Sequence, residues 1–258
     1  MQNIKLTLQY DGTRYQGWQR PQKDGYEKTV SYKILSVLQK MTGEDILLHA
    51  AAKTEPGVHA LSQTVSFLTG SALSPEQFCT NLNRYLPQDI AVLEAEPAPE
   101  RFRADLNAKS RTYEYRVCTS KVYDIFSASY TAHFPFSLDQ DAMEKAAGLL
   151  KGRHNFNGFC GVRRKKGTEK NLLNIQFNNV KEEMRKNIFP GSGNSEVFVI
   201  SLTADDFLYQ MPLRIVSVLL EIGTRKRRAD DITRIFSGEE ASAVSCEAKG
   251  LLLRSIQY

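Results

Sequence analysis

Hydrophobic and polar positions change period several times along the chain. Ile4, Leu6, Leu8 and Tyr10 alternate with polar residues, the period of a half-buried strand, and Asp11-Gly12 supplies a turn after it. After Thr29 the spacing becomes helical: Val30, Ile34, Val37, Leu38 and Met41 fall on one stripe, and Gly43 is placed to end the helix. Strand-like runs follow at Ile46–Ala52, Gln63–Leu68 and Ile90–Glu94, with a helix over Pro75–Tyr85 that Ser74 is suited to cap. The second half repeats this alternation. It has a strand at Arg111–Cys118, a helix at Leu138–Leu150, strands at Leu173–Phe177 and Val197–Thr203, and a long apolar helix at Phe207–Ile222. A short helix at Asp230–Phe236 and a last strand at Leu251–Tyr258 complete it. Asn187–Asn194, with Pro190, Gly191 and Gly193, reads as a loop between two strands.

Strands and helices without a regular βαβ beat predict an α+β fold, with a mostly antiparallel sheet and helices on one face. Two halves, 1–106 and 107–258, are expected to share that sheet. No linker rich in proline, glycine or serine marks the boundary near Asn107.

Composition narrows the function classes. With 258 residues and 41% hydrophobic content, the chain has material for a large core. Its 34 Lys and Arg against 29 Asp and Glu give a net charge of +5, which permits a polyanionic partner without requiring one. No stretch approaches the roughly 18 apolar residues of a membrane span, and Met1–Tyr10 does not read as a signal segment, so a cytoplasmic location is expected. Cys79, Cys118, Cys160 and Cys246 form no C-x-x-C pair, so neither a metal site nor a disulfide framework is predicted, and four mostly buried free thiols are expected.

Three clusters and two charge runs carry the candidate chemistry. Tyr10-Asp11-Gly12-Thr13-Arg14-Tyr15-Gln16-Gly17-Trp18-Gln19-Arg20 places the only tryptophan among cations and tyrosines, a composition suited to gripping a sugar-phosphate chain and stacking bases. The same segment also reads as a glycine-rich turn anchored in the core by Tyr10 and Trp18. Ala52–Ala60 gathers Lys53, Glu55 and His59 in a tight loop after a strand, where a rigid support positions active groups. A solvated Lys53–Glu55 pair and a packing histidine are the plainer readings. Lys109 and Arg111 precede Tyr113 and Tyr115, whose alternation sends both rings to one face, for stacking on a base or for the core. Arg163-Arg164-Lys165-Lys166 and Arg225-Lys226-Arg227-Arg228 are each long enough to contact several phosphates, or to be solvated loops.

Taken in order, these segments resemble the tRNA pseudouridine synthase A family over Ile4 to Tyr258. Tyr10-Asp11-Gly12 leads to Gly17-Trp18-Gln19-Arg20, and then come Thr54–Ala60, Leu82-Asn83, Leu86-Pro87, Asp89-Ile90 and Arg111–Tyr115. Phe207-Leu208-Tyr209-Gln210-Met211 and Gly250-Leu251 extend the likeness. The resemblance implies two similar RRM-like, ferredoxin-like halves, a homodimer, a basic cleft for tRNA, and conversion of anticodon stem-loop uridines to pseudouridine without cofactor or metal. It implies a covalent nucleophile at Glu55, a neighbouring cation at Lys53, and a stacking tyrosine at Tyr113. RNA contacts are implied at Tyr10, Arg14, Trp18, Arg20, His59, Lys109, Arg111, Arg163, Arg164, Lys165, Arg225 and Arg227.

The departures fall on the chemistry. The family has aspartate where Glu55 stands, arginine at Lys53, glycine at Ala52 and alanine at Pro56. A second family arginine falls, without gaps, on Leu213. Glutamate is one methylene longer, and a misplacement of about 1 Å costs roughly 100-fold in rate. A lysine supplies a point charge where arginine supplies a planar fork. The expected function is therefore a tRNA-binding protein with weak or no isomerase activity. The alternatives are a working synthase with Glu55 as nucleophile, helped by Arg214 if Pro212 resets the helix, and a basic protein of this fold with another partner.

Overall fold

The structure is a computed structural model describing residues 1–19, 24–122, 124–162, 164–181, 196–242 and 244–258. The fold class is α+β with mostly antiparallel strands, and the chain divides into two compact units, Met1–Arg111 with Leu252–Tyr258, and Thr112–Leu251.

In the first unit, β1 (Gln2–Tyr10) lies between β3 (His59–Thr69) and β4 (Ile90–Ala98), antiparallel to both. Ile4, Leu6 and Leu8 of β1 are fully buried, each worth about 1.5–3 kcal/mol relative to exposure. Helix α1 (Val30–Thr42) begins where the Thr29 hydroxyl accepts the Tyr32 N–H and ends on left-handed Gly43. Helix α2 (Pro75–Tyr85) carries a full capping box between Ser74 and Gln77. It buries Phe78 edge-on against Phe67 of β3, with ring centroids 5.5 Å apart. The last strand, β10 (Leu251–Gln257), returns to this unit and pairs parallel with β3, Leu252 opposite His59.

The strand expected at Ile46–Ala52 is only β2 (His49–Ala50), paired with β3. Its end has a local cause. Ala52 exchanges hydrogen bonds with the Gln63 side chain, donating its N–H to Oε1 at 3.3 Å and accepting Nε2–H at 2.7 Å. The backbone thereby leaves the ladder one residue before Lys53. Strand β3 starts at His59, so His59 and Ala60 belong to a strand and the loop is shorter than predicted. A four-residue helix, α3 (Ala104–Asn107), follows β4.

The second unit carries β5 (Ser110–Cys118), β9 (Glu196–Ala204), β8 (Glu169–Lys181) and β7 (Gly152–Asn155) in that order, with β8 antiparallel to both neighbours. A two-residue strand, β6 (Ala132–His133), runs parallel to β5. Helix α4 (Gln140–Leu150) is capped by Asp139, and α5 (Met211–Gly223) buries Met211, Pro212, Leu213, Ile215 and Val216 in succession. Its first turn differs from the predicted start at Phe207. Gln210 is left-handed at φ 59°, so Phe207–Gln210 form a turn before the helix. Helix α6 (Asp231–Ser237) closes the unit. All four cysteines are free, but only Cys118 and Cys160 are buried. The Asn187–Asn194 loop lies outside the described residues. No helix among the described residues is long and apolar enough to cross a membrane.

Candidate functional site

In the first unit the two motif loops lock together through their backbones. Trp18 donates its N–H to the Thr54 carbonyl at 2.9 Å, Gly57 to the Tyr15 carbonyl at 3.3 Å, and Val58 to the Glu55 carbonyl at 3.1 Å. The approach is so close that only glycine fits. A Cβ on Gly12 would stand 2.0 Å from the Val58 oxygen. One on Gly17, at φ 87°, would stand 2.7 Å from the Thr54 oxygen and 3.2 Å from both the Glu55 carbonyl carbon and the Pro56 nitrogen. Glu55 is buried, with 8% of its surface exposed, while Lys53 two residues earlier is exposed. Glu55 is withdrawn from water while Lys53 stays in it, so the two do not form the solvated pair that composition allowed.

Tyr10 and Trp18 are both buried, their ring centroids 6.1 Å apart. They anchor the loops, and neither ring is displayed for stacking. The Tyr10 hydroxyl meets Thr54 Oγ1 at 2.8 Å. Burial pushes the phenol well above its usual range, against the opposing pull of hydrogen bonds to Thr54 and Gln63, and the nearby Glu55 carboxylate pushes it further up. His59 is also buried. Its Nδ1 lies 3.0 Å from the Gly12 nitrogen and 3.2 Å from Asp11 Oδ1. Asp89 ties the segment down by accepting hydrogen bonds from the exposed Arg14 guanidinium and from the Tyr15 hydroxyl. Gln63 and Asp89 are framework residues that composition alone did not single out. Asp89 sits in a quoted motif, but its partners lie more than 70 residues away in sequence.

Two arginines expected to face RNA are used internally as well. Arg111 is buried, its Nε donating to the Ala51 carbonyl at 2.6 Å and a terminal nitrogen to the Asp105 carbonyl at 3.3 Å. Arg227 is held between Glu221 at 2.9 Å and Glu240 at 3.2 Å. Arg111 is withdrawn from the surface onto backbone carbonyls, and Arg227, occupied by two carboxylates, is a poor phosphate ligand, which corrects the reading of both. Arg225 is exposed beside Asp139. Lys109, Arg164 and Lys165 are exposed, the loop of the last two steadied where the Arg164 N–H reaches Asn157 Oδ1 at 3.0 Å. Arg20 and Arg163 lie outside the described residues.

In the second unit Tyr113 is buried on β5 with its ring edge-on to Phe207, 5.2 Å between centroids. Phe207 opens the turn whose left-handed Gln210 starts α5. Gly161 lies so close that a Cβ would be 2.3 Å from Gln210 Oε1. Leu213 is 3% exposed. Arg214, the next residue, is only partly buried and shares a polar stripe of α5 with Ser217 and Glu221. Its guanidinium reaches Gln210 Oε1 at 3.4 Å and Ser242 Oγ at 3.1 Å. Among the described residues no group of three or more His, Cys, Asp or Glu side chains is placed to hold a metal ion.

A family model described as tRNA pseudouridine synthase matches residues 7–106 and 146–258. The chain is 35% identical to tRNA pseudouridine synthase A 1 of Clostridium tetani and 32% identical to tRNA pseudouridine synthase A 2 of Bacillus cereus, each over 260 residues and the whole of both chains. It is 33% identical over 259 residues to tRNA pseudouridine synthase A of a Bacillus species, again over all of both chains.

Proposed function

Because the chain belongs to the tRNA pseudouridine synthase A family, we propose that it binds the anticodon stem-loop of tRNA and isomerises uridine there at a strongly reduced rate. The net reaction exchanges the uracil N1–C1′ bond for a C5–C1′ bond, with a proton leaving C5 and one taken up at N1. In this reading Glu55 is the carboxylate that adds to the nucleotide, Lys53 the flanking cation, and Tyr113 the ring that meets the base. Arg14, Lys109, Arg164, Lys165 and Arg225 meet phosphates. No cofactor is required, and two copies of the chain assemble as the functional unit.

One observation carries the reduced rate. The backbone around Glu55 is pinned against Gly17 and by the Trp18, Gly57 and Val58 hydrogen bonds, so it cannot retreat to absorb an extra methylene. The carboxylate must then overshoot or fold back, and a displacement of about 1 Å costs roughly 100-fold.

A second reading is favoured by a different observation. Burying a carboxylate is costly unless it is used or compensated, and Glu55 is kept buried while Arg214 keeps a cation on the polar stripe of α5. There the chain is a working synthase, with Arg214 in the role that the resemblance gives to the arginine of that helix. Tritium release from tRNA labelled at uracil C5 separates the two. The reduced-rate reading expects slow release that disappears in Glu55→Ala and rises in Glu55→Asp. Fast release by the unaltered protein, with no gain in Glu55→Asp, would establish the second. Affinity for tRNA that stays flat from low to high salt removes both and leaves a different partner.

A further inference from the structure

Tyr10 is buried, with 4% of its surface exposed, yet it is joined to the residue beside the candidate nucleophile. The phenol on β1 bonds the Thr54 hydroxyl at 2.8 Å, and Thr54 in turn gives its carbonyl to the Trp18 N–H. Gln63 of β3 grips Ala52, two residues before Thr54, at both its N–H and its carbonyl. The stretch ahead of Glu55 is thus held at two points by buried polar side chains from two adjacent strands of one rigid ladder. Further along the loop, Gly57 and Val58 donate backbone hydrogen bonds to the Tyr15 and Glu55 carbonyls.

We propose that Tyr10 is a positioning residue for Glu55, acting through the Thr54 hydroxyl, so that the reach of the carboxylate is set from strand β1. The proposal rests on Glu55 as the reacting carboxylate. The raised phenol pKa supports it in one respect, since the hydroxyl keeps its proton across the working pH range and remains available to the bond. A phenol that only filled core volume would be replaced by phenylalanine without consequence for the loop. A positioning phenol would not, because its ring contributes the packing and its oxygen the aim.

The test compares Tyr10→Phe, Thr54→Val and Thr54→Ser in the full chain, by amide hydrogen exchange and by single-turnover isomerisation of tRNA. In Tyr10→Phe, exchange at the Trp18 and Gly57 amides should quicken about 10-fold, while Leu6 and Val65, paired within the β1–β3 ladder, keep their protection. The single-turnover rate should fall about 10-fold with the Kd for tRNA unchanged, since aim and not binding is lost. Thr54→Val should behave like Tyr10→Phe, the double variant should be no worse than either alone, and Thr54→Ser, which keeps the hydroxyl, should match the unaltered protein. Unchanged exchange at Trp18 and Gly57 overturns the proposal, as does a uniform loss of protection that reaches Leu6 and Val65. Loss of tRNA affinity equal to the loss of rate overturns it as well. If no variant turns over, even with Glu55→Asp added, the isomerase reading fails on that ground, and the exchange pattern alone decides whether Tyr10 holds the loop.

Discussion

The Glu55 loop and the first turn of α5 are the two places where the resemblance implies a departure from the family's pattern, and the structure holds them in opposite ways. Around Glu55 the backbone frame is fixed and the side chain alone sets the reach. Gly12, Gly17, the Trp18 and Gly57 bonds between the loops and the Val58 bond within one hold the path, so side-chain length sets the reach of the carboxylate. At the start of α5 the backbone frame decides which side chain meets water. Left-handed Gln210 and Pro212 set the first turn, Leu213 faces the core, and the cation stands one residue later on the polar stripe. A rigid loop converts a substitution into a displacement, whereas a helix start can shift a group by one position and keep it on a polar face.

The sharpest challenge to that contrast is Leu213→Arg. If Leu213 were the vacated place of a working cation, arginine there would raise activity. If it is a core position, an unpaired guanidinium buried in α5 should cost about 3–5 kcal/mol and lower Tm without any gain in turnover, as thermal unfolding and tritium release would show together. Next in size is Glu55→Asp, expected to raise turnover roughly 10- to 100-fold, with the change in kcat rather than KM. No change would mean that the loop yields after all.

A weaker effect separates the two basic runs, which repeat the contrast between displayed and committed groups. Replacing exposed Arg164 and Lys165 with alanine should reduce the slope of log affinity against log salt by about 2, as expected for two lost phosphate contacts. Arg227→Ala should leave that slope unchanged and reduce stability instead, because Glu221 and Glu240 lose their shared partner. The smallest effect is common to both units. For Asp105, partial burial acts to raise the pKa, but the Arg103 hydrogen bond and charge outweigh it. For Asp139, the Ala142 N–H and then Arg225 lower it. A carboxyl held below its ordinary value stabilises the fold above about pH 4, and that contribution is lost as pH falls through the depressed folded-state value. Tm should therefore fall modestly on acidification below pH 4, and Arg103→Ala should remove the part due to Asp105.

Much of the architecture was legible because it is encoded over short distances. The Ser74 cap, the Gly43 stop and the alternation of β1 each involve residues within or next to one element, and each appears where its spacing placed it. The identities of the motif residues were also legible, since Tyr10–Trp18 and Thr54–His59 stand out as segments before any contact is known. Their use was not. Whether Tyr10 and Trp18 are displayed or buried, and whether Arg111 meets phosphate or protein, depends on partners tens of residues away in sequence. The early end of β2 at Ala50 required the Gln63 side chain to displace a backbone partner. The parallel pairing of β10 with β3 joins residues almost 200 positions apart.

Local propensity and patterning belong to the sequence, because a strand's alternation and a helix's caps are satisfied by near neighbours. Burial, hydrogen-bond partner and the aim of a side chain belong to the tertiary structure, because each is settled by which distant atoms arrive to exclude water. Glu55 shows the division: its type was plain from the sequence, and the pinned backbone that makes its length matter exists only once Gly17 and Tyr10 have closed upon it.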